Sequence, residues 1–240
     1  MKLNITIILL GSFCAISNIY GQYSTEGLSL DGDVYQWYDS QKGKENTSLV
    51  NGVYQEVKKK TPNSHPFFLS DKWLPGVIHY QGQTYEGVSV LYNMEDGEIL
   101  FKHPIPFEYD LQPIKPVQQS VSWFLIDGNL FKYYTDGVLN YLPGFYHVRY
   151  EGDRLTFITR RSRAIVTSPE FRYNNNDVNI MRYDDKYYKI KNRLLFFRLF
   201  KPWKKQIRQY IRQHRVGFNK EYDSGLAGLV LYCESLISKP

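Results

Sequence analysis

Between Gly76 and Leu100 the chain carries three runs of β-branched and aromatic residues, broken at Gln81-Gly82 and again across residues 93–97. In an extended chain successive side chains point to opposite faces, and glycine supplies the positive φ that a tight turn requires. The segment therefore predicts strand, turn, strand, turn, strand. The same grammar returns downstream. Residues 121–126 and 130–134 flank Asp127-Gly128, residues 144–150 and 154–159 flank Glu151-Gly152-Asp153, and residues 178–183 and 186–190 flank Asp184-Asp185. Hairpins in series predict a mainly β (α+β) fold, an antiparallel meander that curls into a barrel or a sandwich. Their uneven spacing argues against a propeller or a solenoid.

The connecting segments read differently. Residues 51–57 predict one short strand, and residues 65–75 predict an extended segment that brings bulky apolar side chains to a core edge. Pro104, Pro106, Pro113 and Pro116 make residues 102–116 a rigid crossing rather than a strand, because proline lacks the ladder donor. Beyond Asn192 the apolar period changes to that of a helix. Pro202 suits a first helical position. From there Trp203, Ile207, Tyr210, Ile211 and His214 share one face, while Lys204, Lys205, Arg208, Arg212 and Arg215 occupy much of the rest. Gly217 ends that helix. Asn219 is the expected cap of a second one, with Tyr222, Leu226, Leu229, Val230, Cys233 and Ile237 as its apolar stripe. The resulting division is a β domain over residues 46–192 and a basic helical pair over residues 193–240, packed on it.

The first segment is of another kind. Lys2 precedes an apolar run reaching Ile16, with the small residue Gly21 at its exit, which is the pattern of a secretory signal peptide over residues 1–21. The run is too short and too interrupted for a membrane span. Residues 22–45 follow as a loosely ordered lead-in. Cleavage after Gly21 removes Cys14 and leaves Cys233 alone, so stability is expected to come from the core and not from an intramolecular disulfide.

Charge changes the picture of the helical tail. The net charge is +6 over 240 residues, and its distribution is uneven. Residues 22–185 hold 16 Lys and Arg against 21 Asp and Glu, whereas residues 186–220 hold 12 Lys and Arg and no acidic residue. A mildly acidic body thus carries a strongly basic segment, whose expected counterpart is an anionic surface, an acidic partner or the body itself. Packing against the acidic sheet accounts for its apolar and charged residues together and is the favoured reading. The export signal argues against nucleic acid as the partner.

Catalytic patterns are weak. The five histidines form no close ligand pair. His79 and His147 lie in predicted strands whose faces would have to converge to hold zinc, and half-buried sheet histidines are the simpler expectation. Ser89 begins like a nucleophile elbow but lacks the closing glycine and sits inside a strand. Glu95, Asp96 and Glu98, and likewise Asp184 and Asp185, crowd hairpin tips without the order of a calcium loop. Cys233 on an apolar stripe is expected to be packed. No catalytic residue, cofactor or metal is therefore assigned. Aromatic residues make up 16% of the chain, with 21 tyrosines, and offer the better lead. Adjacent rings at Trp37-Tyr38, Tyr133-Tyr134 and Tyr187-Tyr188 place one ring of each pair away from a one-sided core. Trp37, Tyr38, Tyr134 and Tyr188 are the candidate aromatic surface for a glycan or a protein.

The pattern Trp73-x-x-Gly76-x-x-x-Tyr80-x-Gly82-x-x-Tyr85-x-x-Val88-x-x-x-Tyr92, with Gly144-Phe145-Tyr146 and a Lys-rich helical tail, resembles a group of uncharacterised secreted proteins of Gram-negative bacteria. The resemblance implies a periplasmic or outer-envelope location and transfers no activity. The expectation is an exported, non-enzymatic interaction module of the cell envelope, with an envelope protein or glycan as partner. Two alternatives stand beside it: carbohydrate binding or processing through the aromatic rings, and peripheral attachment to an anionic membrane through residues 194–215.

Overall fold

The computed structural model describes residues 48–50, 52–57, 64–103, 112–167, 171–218 and 224–238. The signal segment, the lead-in with Trp37 and Tyr38, and the expected Asn219 cap lie outside the described residues. The strands are β1 Val53–Tyr54, β2 Leu74–Tyr80, β3 Gln83–Asn93, β4 Glu98–Phe101, β5 Ile114–Lys115, β6 Val121–Ile126 and β7 Asn129–Tyr134. They continue as β8 Gly144–Glu151, β9 Leu155–Arg160, β10 Arg163–Val166, β11 Arg172–Asn175, β12 Val178–Tyr183 and β13 Lys186–Lys189. Among the described residues, eleven of them form one antiparallel sheet in the order β1-β5-β4-β3-β2-β6-β7-β8-β9-β12-β13, while β10 and β11 form a separate hairpin. The fold is mainly β, as the hairpin grammar predicts, and the sheet is open, with β1 and β13 at its edges.

β2 is an interior strand next to the middle of this order, paired with β3 on one side and β6 on the other. Gly76 makes that double pairing tight. A Cβ there would lie 2.6 Å from Val90 Cγ2 and 2.7 Å from the Leu125 carbonyl oxygen. The chain runs outward through β3, β4 and β5, then returns to the far side of β2. Gln118 anchors the return, its Oε1 accepting from Ile99 N at 2.8 Å and its Nε2 donating to Ile99 O and Pro116 O at 3.1 and 2.9 Å. Both central residues of the Gln81-Gly82, Asp127-Gly128 and Asp184-Asp185 turns have positive φ. That geometry matches strand twist and explains the choice of Gly and Asp.

Register partners share a face of the sheet, so Ile78, Phe124, Phe131 and His147 point to one side. There the β2–β8 half forms an aromatic core. Phe124 and Phe131 stack at 4.8 Å, Tyr92 lies 4.8 Å from Phe131, and Phe145 meets Phe124 edge-on at 5.0 Å. Phe68 enters from the loop before β2 and meets Phe131 edge-on at 5.1 Å, so residues 65–75 do close a core edge. Arg163 fastens that loop, donating through Nη1 to the His65 and Phe67 carbonyl oxygens at 2.6 and 3.1 Å. The opposite face is covered around Tyr146, Ile158 and Ile180 by Val138 of the β7–β8 loop.

On the β9–β13 half of the first face the cover is helical. Leu155, Phe157, Met181 and Ile190 form a floor for Phe196, Phe200, Ile207, Leu226, Leu229, Val230, Cys233 and Ile237. Three helices supply them rather than the expected pair: α1 Arg193–Leu199, α2 Lys204–Gln213 and α3 Ser224–Ile237. The extra helix starts at Asn192, whose side chain accepts from Leu194 N and Leu195 N, and Pro202 lies in a single 3-10 turn between α1 and α2. Glu234 of α3, only 9% exposed, accepts from Arg154 N at 2.9 Å and Leu155 N at 2.8 Å. A buried carboxylate satisfied by two backbone N–H groups thus locks α3 to the β8–β9 turn. Two further differences concern strands. The proline-rich crossing contains β5, short enough to fit between prolines, and the polar stretch near Asn174 forms β11 against β10.

Candidate functional site

Where the aromatic core and the helix-covered core meet, the apolar face is interrupted. His147, Thr159 and Asn179 are register partners across β8, β9 and β12, and Arg161 follows directly after β9. Arg161 is 3% exposed, and a buried guanidinium is tolerated only when its charge and its donors are met. Its Nη1 donates to Asp177 Oδ2 at 2.5 Å, and its Nε and Nη2 donate to His147 Nδ1 at 3.1 and 2.9 Å. Asp177 Oδ1 accepts from Ser162 N at 3.1 Å. The Phe68 ring lies 5.8 Å from the guanidinium carbon.

Burial first, and then the charges of Arg161 and Arg149, push His147 down to about 3. Arginine can only donate, so Nδ1 is the acceptor and the ring proton sits on Nε2. His147 is therefore a neutral imidazole stacked on Phe131 at 4.9 Å. A general base needs an open lone pair within reach of its proton. Here that lone pair faces two guanidinium N–H groups, and the arrangement suits positioning rather than proton transfer.

Beside the cluster opens a cavity of about 310 Å³. Arg149, Arg161, Asp177, Lys189 and Lys191 line it, together with Asn175, Asn176, Asn179, Val178, Ile190 and Phe218. Arg149 lays its guanidinium over the Phe157 ring at 5.6 Å, and Lys189 donates to the Tyr141 hydroxyl.

A second surface lies on the helices. Ile207 is buried against the helical core, and Lys204, Lys205, Arg208, Arg212 and Arg215 are all exposed. Among the described residues none of these five makes an ion pair. This corrects the favoured reading of the basic segment: its apolar stripe packs on the sheet, while its charge stays in solvent. One neighbouring apolar group is exposed too. Leu194 on α1 is 70% exposed, and Phe197 lies three residues on, along the same side of the helix. Arg208 of α2 sits over the Phe197 ring at 5.7 Å, joining the two helices into one ridge.

The remaining candidates are distributed as follows. Tyr134 packs edge-on against Tyr146 at 5.1 Å, and burial pushes its hydroxyl up to about 12. Tyr188 packs into the helix-covered core, so these two rings belong to separate clusters on opposite faces of the sheet. His79 points away from the face that carries His147. It stacks on Trp123 at 5.5 Å and meets Thr84 Oγ1 through Nδ1 at 3.0 Å. The two histidines do not converge, and among the described residues no group of His, Cys, Asp and Glu could hold a metal ion. The acidic tips are engaged locally: Glu95 by the Tyr173 hydroxyl, Asp96 by Asn93, Glu98 by Lys115, Asp184 by Arg154 and Asp185 by Arg182. Cys233 is buried, which pushes its thiol up and keeps it protonated. No described helix is long and apolar enough to cross a membrane. Sequence reasoning missed Arg161, Asp177 and Asn179. Their signal is the polar row His147, Thr159 and Asn179 at inward positions of three adjacent strands, with Arg161 and Asp177 just beyond the ends of two of them, and it needs the register to be seen.

No family model, no curated protein and no solved structure matches this chain.

Proposed function

We propose that this protein is an exported, non-enzymatic module of the cell envelope that attaches through its basic helical ridge to an anionic bilayer surface. The observation that carries the reading is the ridge itself. Lys204, Lys205, Arg208, Arg212 and Arg215 face solvent beside the exposed Leu194, with no described carboxylate paired to them. An interfacial helix combines these features, with an apolar edge entering the headgroup region and cations above it. Each cation near an anionic leaflet contributes about 1 kcal/mol. Five of them with one inserted leucine give roughly tens of micromolar affinity, a reversible attachment. Export rests on the Lys2 start, the apolar run and Gly21, and on the resemblance to secreted envelope proteins. The aromatic alternative draws no comparable support, since Tyr134 and Tyr188 lie on opposite faces.

Co-sedimentation with phosphatidylglycerol vesicles tests the reading. The protein is expected to pellet with them, to be released by salt and to ignore phosphatidylcholine vesicles. Replacing Lys204, Lys205 and Arg208 by Gln weakens pelleting by about a hundredfold, following from the per-charge contribution. Pelleting that is equal on neutral vesicles, or unaffected by the substitutions, rejects it.

A further inference from the structure

The cavity beside Arg161 is separate from the ridge residues, and its lining is one-sided in chemistry. Asp177 is the only carboxylate among the lining residues, and both of its oxygens are taken, one by Arg161 and one by Ser162 N. It therefore cancels the Arg161 charge and offers little to a ligand. Arg149 and Lys191 add positive charge to the lining, and Lys191 is exposed.

The carboxamides point the same way. Asn179 Oδ1 accepts from Thr159 Oγ1 at 2.8 Å, and Asn175 Oδ1 accepts from Arg163 Nε at 2.5 Å. Both acceptor oxygens are thus occupied by protein donors, which fixes the orientation of each amide. Their NH₂ groups make no hydrogen bond among the described residues. At these two amides only the donors remain, and a wall of that kind is matched by a ligand that accepts hydrogen bonds. With cations in the lining as well, that ligand is an oxyanion.

We infer that this cavity is a binding site for a phosphate-type oxyanion, oriented by the Asn175 and Asn179 amides and held by Arg149 and Lys191. The volume of about 310 Å³ admits a small molecule or a single headgroup. Arg161, Asp177 and His147 are its positioning residues. They hold the end of β9 and the segment entering β12 together, and so set the distance between the two sides of the cavity.

Calorimetric titration of the full chain tests this with two probes, inorganic phosphate and water-soluble dibutyryl phosphatidylglycerol. Saturable binding of either is expected, and the tighter probe identifies the source of the anion. Asn179→Asp keeps the acceptor for Thr159 and replaces the free donor with a negative charge, so it should weaken binding by about tenfold or more. Lys191→Gln, at an exposed position, should weaken it by about threefold to tenfold and decides the matter if the first variant does not fold. Lys72→Gln, exposed and outside both the cavity lining and the ridge, should leave the affinity unchanged, which controls for a general loss of positive charge. Absence of saturable binding with both probes, or affinity unaltered by Asn179→Asp and Lys191→Gln, overturns the assignment.

Discussion

The half of the sheet from β2 to β8 and the half formed by β9, β12 and β13 use the same hairpin grammar, yet they cover their inner faces in different ways. The first half fills the face that carries His147 with rings: Phe68, Tyr92, Phe124, Phe131 and Phe145 form a chain of contacts with centroids 4.8–5.4 Å apart. The second half presents Leu155, Phe157 and Met181, and requires three helices to cover them. The difference teaches where function can be placed. A self-filled core leaves only hairpin tips and edges free. A core covered by amphipathic helices must turn the helices' polar sides outward, and here those sides are basic.

The comparison breaks first at the rings. Phe131→Ala removes a side chain that is 0% exposed and contacts Phe68, Tyr92, Phe124 and His147. Chemical denaturation should show a loss of about 4 kcal/mol, while vesicle binding of the protein that remains folded stays the same. A loss under about 1 kcal/mol would mean that the ring cluster is not what holds this half.

A smaller effect is expected at the joint between sheet and helices. Glu234→Gln preserves the shape of the side chain but places an amide against two backbone N–H groups, at a cost of about 2 kcal/mol. Hydrogen exchange should then report α3 opening ahead of the β2–β7 strands. Simultaneous opening of both would show that the halves are one cooperative unit.

Acid sharpens the comparison at the seam. The folded state holds His147 near 3, well below the usual histidine value of about 6.5. Above the unfolded value both states are neutral, and the full stability is present. As pH falls below it, the unfolded chain takes a proton that the folded chain refuses, so stability drops. The slope attributable to His147 approaches about 1.4 kcal/mol per pH unit between roughly 6.5 and 3. His147→Asn keeps an acceptor for Arg161 and removes the titrating group, so its stability curve should be flatter by that slope across the window. Parallel curves for the two proteins would contradict the burial of a neutral imidazole.

How much of this was legible in the sequence follows the range of the forces involved. The hairpins around Gln81-Gly82, Asp127-Gly128 and Asp184-Asp185 were readable because a two-residue turn with positive φ is a local demand met by few residues. The helical ridge was readable from its period, with Ile207 inward and Lys204, Arg208 and Arg212 outward. Strand β5 was not, because Phe101 and Val53 on neighbouring strands select it from a proline-rich stretch. The β10–β11 hairpin is polar in sequence and is tied down from outside itself, by Arg163 on the loop before β2 and by Tyr173 on Glu95. Helix α1 is only seven residues long and apolar on several sides, so its clearest mark was the Asn192 cap. The Arg161–Asp177–His147 cluster joins three segments through register alone, and register is not written in any one of them. The favoured docking of the basic charges onto the acidic body failed for a physical reason. The apolar stripe of α2 takes the inward side, and a helix cannot turn both faces to the sheet.

The most direct test of the central claim compares immersion of the two halves on one membrane. Nitroxide labels are placed at Leu194→Cys on the ridge and at Glu86→Cys on β3, in a Cys14→Ala chain whose Cys233 is buried and does not compete. On phosphatidylglycerol vesicles, collision with oxygen and a nickel chelate then reports depth. The expected result is a label at 194 within the headgroup and upper acyl region, about 5–10 Å deep, and a label at 86 in water. Both labels equally exposed to the chelate, or the label at 86 immersed in place of the one at 194, would contradict attachment through the helical ridge.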